Sequence, residues 1–260
     1  MKKLFLPIYR LLKISPILLK YRNDTHLHPI FRSYISWMPL CIFSEPLVWL
    51  KMLFLSSFRF ENEKQKPHSF YVPYLSSTAY PFREHDKYSK FLEENVETIT
   101  QEFMKVFELE VGTPSQALVQ QGKWNTFPLM RAASLFSKNI EKCPKTWSIV
   151  QQCPLLNDVR GGVYFSIIYP GTRISPHCGP SNLKLRYHLT LLEAKDAWIR
   201  SGNEWRTWKR GECMILDDSF EHEVKHQGKE IRVVLIVDCW NPDLSEDEKH
   251  ILKLIHTAFR

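Results

Sequence analysis

Two histidines and one arginine carry the chemical signal in this 260-residue chain. His177 stands in the turn Ser175-Pro176-His177-Cys178-Gly179-Pro180, and His222 in Asp217-Asp218-Ser219-Phe220-Glu221-His222-Glu223, 45 residues further on. Imidazole suits iron, and two histidines from adjoining strands leave positions open for further ligands. Neither is diagnostic alone, because the chain has ten histidines and most loop histidines bind nothing. Arg232 alternates in phase with Val234 and Ile236, so it points with apolar residues instead of away from them. A guanidinium among buried neighbours needs a carboxylate or an anionic ligand, since burying it alone is prohibitive.

A second run has the same period. From Leu183 to Leu191, leucines and Tyr187 take the odd positions, while Lys184, Arg186, His188 and Thr190 take the even ones. One face therefore packs, and the cationic face either binds something or meets water.

These residues need strands to hold them. After about Lys145, Val163 to Tyr169, Leu183 to Leu192, Met214 to Leu216 and Ile231 to Trp240 are β-prone runs. Gly161-Gly162, Pro170-Gly171, Gly179-Pro180, Ser201-Gly202-Asn203 and Gln227-Gly228 punctuate them at spacings that suit a sandwich or jelly roll. Ahead of that β half, Phe91, Leu92, Val96, Ile99, Phe103 and Val106 recur at helical steps from Tyr88, with Asp86 available as N-cap. This stripe is core packing and carries no chemistry. The charged stretch from Glu61 to Pro67 suggests a linker near residues 60 to 70, which divides a segment 1–65 from a catalytic domain 66–260.

The formal charge of +7 lies wholly in residues 1 to 60, where nine Lys or Arg face only Asp24 and Glu45. The remainder is balanced, so no nucleic-acid partner is expected. Glu45, Pro46 and Lys51 interrupt the apolar run from Tyr34 to Phe58, which rules out a spanning helix, and Arg10 and Lys13 fit a signal peptide poorly. Mixed cations and aromatics suit either peripheral association with an anionic membrane surface or a helical layer packed on the catalytic domain. Six cysteines without a Cys-x-x-Cys pair indicate neither a zinc ribbon nor a disulfide scaffold, and reduced thiols in a cytoplasmic setting are the simplest expectation.

The ordered motifs resemble the aspartyl/asparaginyl β-hydroxylase family. They are Pro170-Gly171-Thr172-Arg173, His177-x-Gly-Pro, Leu185-Arg186-x-His188-Leu189, Trp208 before Gly211-Glu212, Asp217 to Val224, and Arg232. The likeness spans roughly residues 70 to 245. It implies a double-stranded β-helix (jelly roll, cupin-like) core, mainly β with flanking helices. It also implies a dioxygenase that uses Fe(II), 2-oxoglutarate and O2 to hydroxylate an unactivated C–H bond, releasing succinate and CO2. By the same match His177 and His222 become the metal ligands. Ser166 and Arg232 hold the distal carboxylate of 2-oxoglutarate, and Arg186 and His188 lie near the other.

Gly179 stands where most such iron sites carry a carboxylate. The resembling family characteristically lacks that carboxylate and places water there, with Asp218 able to contribute through water. Glu221 and Glu223 should point away from the ligand on a strand, Asp217-Asp218-Ser219 reads as a turn, and Cys178 as a small packing residue. Protein-modifying relatives resemble one another in an arginine two positions before Arg186 that helps to hold substrate. Here it is Lys184, so a peptide or protein Asp/Asn residue and a lipid acyl chain both stand as substrates. A non-catalytic anion-binding module and a halogenase with its halide at Gly179 are the competing readings.

Overall fold

The computed structural model describes residues 60, 62–72, 75, 78–81, 86–107, 118–157 and 160–259, with side chains only to 253 in the last helix. The expectations for residues 1 to 59 fall outside this range. The described residues fall into two compact units, the larger drawn from residues 60–68 and 78–241 and the smaller from residues 69–72, 75 and 242–259.

The larger unit is built on two antiparallel sheets. The major sheet has the order β3-β2-β4-β11-β6-β9, from Ser134–Leu135 (β3), Trp124–Arg131 (β2), Gly162–Ile168 (β4), Arg232–Trp240 (β11), Lys184–Leu192 (β6) and Cys213–Leu216 (β9). The minor sheet has the order β1-β5-β10-β7-β8, from Val119–Gln121, Arg173–His177, His222–His226, Ala197–Ser201 and Glu204–Thr207. With helices on one side, this is the expected jelly roll.

Parity sorts the major sheet into two faces. Phe165, Leu185, Leu189, Leu235 and Val237 pack on one side with Leu92 of helix α1 (Lys87–Glu94) and Ile99 and Phe103 of α2 (Val96–Val106). Tyr164, Ile168, Val234 and Ile236 instead face Ile174, Ile199 and Val224 of the minor sheet. Because both faces of β6 and β11 are covered, the cationic face of β6 lies inside the barrel and not in water.

Asp86 caps α1 as expected, accepting from the amides of Tyr88 and Ser89, and its second oxygen accepts from the Tyr187 hydroxyl at 2.8 Å. The single helix expected here is broken at Asn95, whose φ of −101° and ψ of 6° are not helical, so α1 and α2 are separate. Two short helices, α3 (Ser137–Ile140) and α4 (Pro144–Val150), follow β3.

The β region starts earlier than Lys145. Pro128 masks β2 in the sequence, and the strand accepts it at a bulge, where pairing with β4 shifts register between Pro128 and Met130. Residues 62–68, which read as a linker, hold the barrel. Gln65 is fully buried, pairs with Phe220, and donates its amide to Asp217 and Ser219.

In the smaller unit, α5 (Glu246–Phe259) begins with a reciprocal capping box. The Ser245 hydroxyl accepts from the Glu248 amide at 3.2 Å, and the Glu248 carboxylate accepts from the Ser245 amide at 2.9 Å. Among the described residues no helix is long and apolar enough to cross a membrane.

Candidate active site

The two histidines meet across the minor sheet. His177 at the end of β5 is the Cα partner of His222 at the start of β10, and their ring centroids lie 4.1 Å apart. Simple alternation would not bring both inward, because Ile174 and His177 have opposite parity. The register shift between His222 and Val224 corrects this, re-aiming a side chain by a bulge.

Each ring is oriented by a carbonyl, His177 Nδ1 by Ser175 O at 2.8 Å and His222 Nδ1 by Phe220 O at 2.9 Å. A carbonyl only accepts, so both Nδ1 atoms carry the proton and both Nε2 lone pairs are left for a ligand. Burial lowers both pKa values, that of His222 to about 3 with help from His177, which keeps the rings neutral as metal ligation requires.

Gly179 is tightly enclosed. A Cβ there would come within 2.5 Å of the Asp218 carboxyl carbon, so Asp218 fills the space that a side chain at 179 would use. One Asp218 oxygen, Oδ2, meets Lys184 at 2.9 Å and Arg186 at 3.0 Å, while Oδ1 is buried with no hydrogen-bond partner. Burial alone would raise the Asp218 pKa, but Arg186 and Lys184 outweigh it and hold the carboxyl well below the usual range. Asp217-Asp218-Ser219 does form a turn, yet its middle residue belongs to the site.

The basic face of β6 divides in two. Lys184 is fully buried between Asp218 and Asp238, and Arg186 makes a two-point contact with Asp238 at 2.8 and 3.0 Å. Burial opposes the Arg186 charge, but Asp218 and Asp238 overcome it and raise its pKa. These two cations and two carboxylates compensate one another.

Arg232 is different. It is 2% exposed, and its guanidinium lies 4.4 Å over the Trp208 ring and donates at 3.3 Å to the Ser166 carbonyl. Its Nε has no partner, and among the described residues it forms no ion pair. Burial depresses its pKa to about 9. Beside it, the Ser166 hydroxyl accepts from Trp124 Nε1 at 3.0 Å, so its own proton remains to be donated. His188 receives the Trp208 indole at 3.3 Å on Nδ1, and its buried Nε2 has no partner. Burial first, then Arg186 and Arg232, keeps this ring neutral, with Nε2 carrying the proton. Arg232, Ser166 and His188 thus present donors without acceptors, a cradle for an anion.

A cavity of about 500 Å³ contains His177, His222, Arg186, Asp218 and Asp238, with Trp124, Arg131 and Tyr164 on its wall. A separate groove of about 560 Å³, bordered by Trp198 and Trp205, holds neither histidine, and Arg232, Ser166 and His188 lie in the barrel interior without lining either space. Glu221 and Glu223 point outward to Arg200 at 3.0 and 2.6 Å, as alternation requires. Among the described residues there is no group of three or more His, Cys, Asp or Glu side chains suited to a metal. The pair of histidines has Asp218 close by and Gly179 in place of a third ligand.

Residues 93–242 match the family model for aspartyl/asparaginyl beta-hydroxylase. The chain belongs to that family. Human aspartate beta-hydroxylase domain-containing protein 2 is 33% identical over 209 residues, 75% of this chain and 56% of the relative. Human aspartyl/asparaginyl beta-hydroxylase is 35% identical, with 64% of this chain against 23% of that protein. The ornithine lipid ester-linked acyl 2-hydroxylase of Rhizobium tropici is 36% identical over 51% of this chain and 47% of the enzyme. The match thus spans about half, or less, of these relatives. Among solved structures, a prolyl-4-hydroxylase from Pseudomonas putida aligns over 57% of this chain and 87% of its own, at 10% identity and a TM-score of 0.38.

Asp238, Trp124 and Tyr164 are site residues that the sequence reading left out. Asp238 shares the phase of Arg232 on β11, so the alternation that singles out the arginine also singles out the carboxylate six residues on.

Proposed function

We propose that this family member is a hydroxylase that binds Fe(II) through His177 and His222 and takes 2-oxoglutarate as cosubstrate. The observation that carries the reading is Arg232, a buried guanidinium with no carboxylate partner among the described residues, in the same barrel as two neutral histidines whose Nε2 lone pairs are left for a ligand. A diacid bound at one end to the metal and at the other to Arg232 supplies the missing anion. Iron, when bound, activates O2 with 2-oxoglutarate as electron donor, yielding succinate, CO2 and a hydroxylated C–H bond.

The protein's own residues do the rest. Arg232 and Ser166 would donate to the distal carboxylate and fix the cosubstrate along the barrel, with His188 and Arg186 nearer its other end. Arg186 stands nearer the metal, oriented by Asp238. Asp218 Oδ1, ionised and without a hydrogen-bond partner of its own, would accept a hydrogen bond from a water beside the histidines. Substrates in keeping with the relatives are a peptide or protein Asp/Asn residue and a lipid acyl chain. Peripheral membrane contact through residues 1 to 60 would suit the latter. The carboxylate of Asp218 against Gly179 disfavours a halide in that space.

Anaerobic titration of Fe(II) into the protein with 2-oxoglutarate should produce a visible metal-to-ligand charge-transfer band, and oxygen should then release succinate. A non-catalytic anion binder would take up the diacid with neither signal.

A further inference from the structure

We propose that Arg131 is the specificity-determining residue of this site, gripping the carboxylate of an acidic substrate side chain at the cavity wall. The inference rests on the iron and 2-oxoglutarate reading and deepens it.

Lys184 cannot hold the substrate. Its ammonium is fully buried and engaged by Asp218 and Asp238, and Arg186 is committed to the same two carboxylates. Substrate recognition by charge must therefore fall elsewhere on the wall. Arg131 and Arg160 both line the cavity; of the two, Arg131 donates to the Thr126 hydroxyl at 3.0 Å and has no carboxylate partner among the described residues. Its guanidinium lies 5.5 Å from the Tyr164 ring centre, and Arg186 lies 6.0 Å from the same ring.

Arg131 reaches this wall through a backbone device. Before the bulge, Pro128 is paired with Tyr164 on the barrel side, while Phe127 pairs with Phe165 on the helix side. The extra residue reverses the phase, so Met130 pairs with Val163 and Arg131 with Gly162. Without it, Arg131 would share the helix-facing side of Phe127 and Leu129. Gly162 has no side chain, and a Cβ there would touch the Tyr164 ring at 3.2 Å.

Charge and wall chemistry select the occupant. Among the described residues the acids lining the cavity are Asp218 and Asp238, both already matched by Lys184 and Arg186, while His68, Arg131 and Arg160 add donors. A carboxylate meets the guanidinium through two parallel hydrogen bonds, in which the arginine N–H groups donate to the two carboxylate oxygens. An acyl chain threading to the histidines would instead desolvate Tyr164, Arg186 and the aspartates without returning hydrogen bonds. Arg131, His177 and His222 line the same cavity, so a carboxylate held by Arg131 shares the space in which the reaction is proposed.

The test uses ferrous protein with 2-oxoglutarate under argon, reading the shift of the charge-transfer band as peptide is added. The probes are acetyl-Gly-Gly-Asp-Gly-Gly-amide, whose side chain is its only charge, and its uncharged Asn counterpart. The full chain should bind the Asp peptide roughly tenfold or more tightly, the value of a charge-assisted hydrogen bond. Arg131→Gln should bring the ratio near one, and Arg131→Lys should keep part of it. Each ratio is taken within one protein, so loss of folded material cannot mimic the effect. An undiminished ratio in Arg131→Gln overturns the assignment while leaving the iron reading intact. So does a band that responds to phosphatidylglycerol vesicles and not to the peptide. Absence of the band in the unaltered chain overturns both readings.

Discussion

Arg232 makes its prediction through the geometry of its charge. Lysine at that position keeps a cation but presents a point charge where a planar fork is needed to hold a carboxylate at two points. Arg232→Lys should therefore raise the concentration of 2-oxoglutarate that half-saturates the charge-transfer band by about tenfold or more. The maximal band should change little. An unchanged affinity would mean that the diacid's far end lies elsewhere. Gly179 gives a converse test. Introducing a carboxylate there by Gly179→Asp drives its Cβ against Asp218 at 2.5 Å. We expect that variant to bind Fe(II) more weakly, and Gly179→Asp combined with Asp218→Ala to recover part of the affinity. Metal titration of both proteins checks this, and a single variant that binds iron more tightly would contradict the crowding argument.

At the scale of elements, legibility followed the continuity of the pleat. β4, β6, β9 and β11 were read nearly to the residue, because unbroken alternation over buried faces leaves a clear period. The phase of Arg232 marked an inward cation for the same reason. Bulges erased that signal at two important places, hiding β2 with Arg131 and giving His177 a phase that parity alone would not assign. The turn Asp217-Asp218-Ser219 was legible as a turn, but long-range partners decide its electrostatics. Asp217 is buried beneath Gln65, and burial, with Asp218 adding to it, raises its pKa from 3.8 to about 7 despite two hydrogen bonds from Ser219. A carboxyl whose folded pKa is raised contributes stability that is complete below about 3.8 and lost as pH rises through about 7. Asp217→Asn cannot ionise. The stability difference, natural chain minus variant, should therefore decline between pH 4 and 8. Urea midpoints of the two proteins across that range would measure it, and a constant difference would show that Asp217 is already ionised at low pH.

Across the whole molecule, charge is distributed unevenly enough to separate two tasks. Residues 1 to 60 carry the entire formal excess of +7, whereas the rest of the chain has equal numbers of acids and bases. Chemistry in the barrel depends on local compensation, with Lys184 and Arg186 matched to Asp218 and Asp238. Attraction to a surface would depend instead on the summed field of the N-terminal cations. Each cation near an anionic membrane contributes about 1 kcal/mol, and salt reduces this within a Debye length of about 10 Å at 0.1 M. The full chain should thus sediment with phosphatidylglycerol vesicles at low salt, less so at high salt, and poorly with phosphatidylcholine. Replacing Lys2, Lys3, Arg10, Lys13 and Lys20 by Gln in the full chain should flatten that salt dependence and leave the charge-transfer band intact. Vesicle binding that ignores both salt and the substitutions would transfer the surface interaction from the N-terminal charge to apolar contacts.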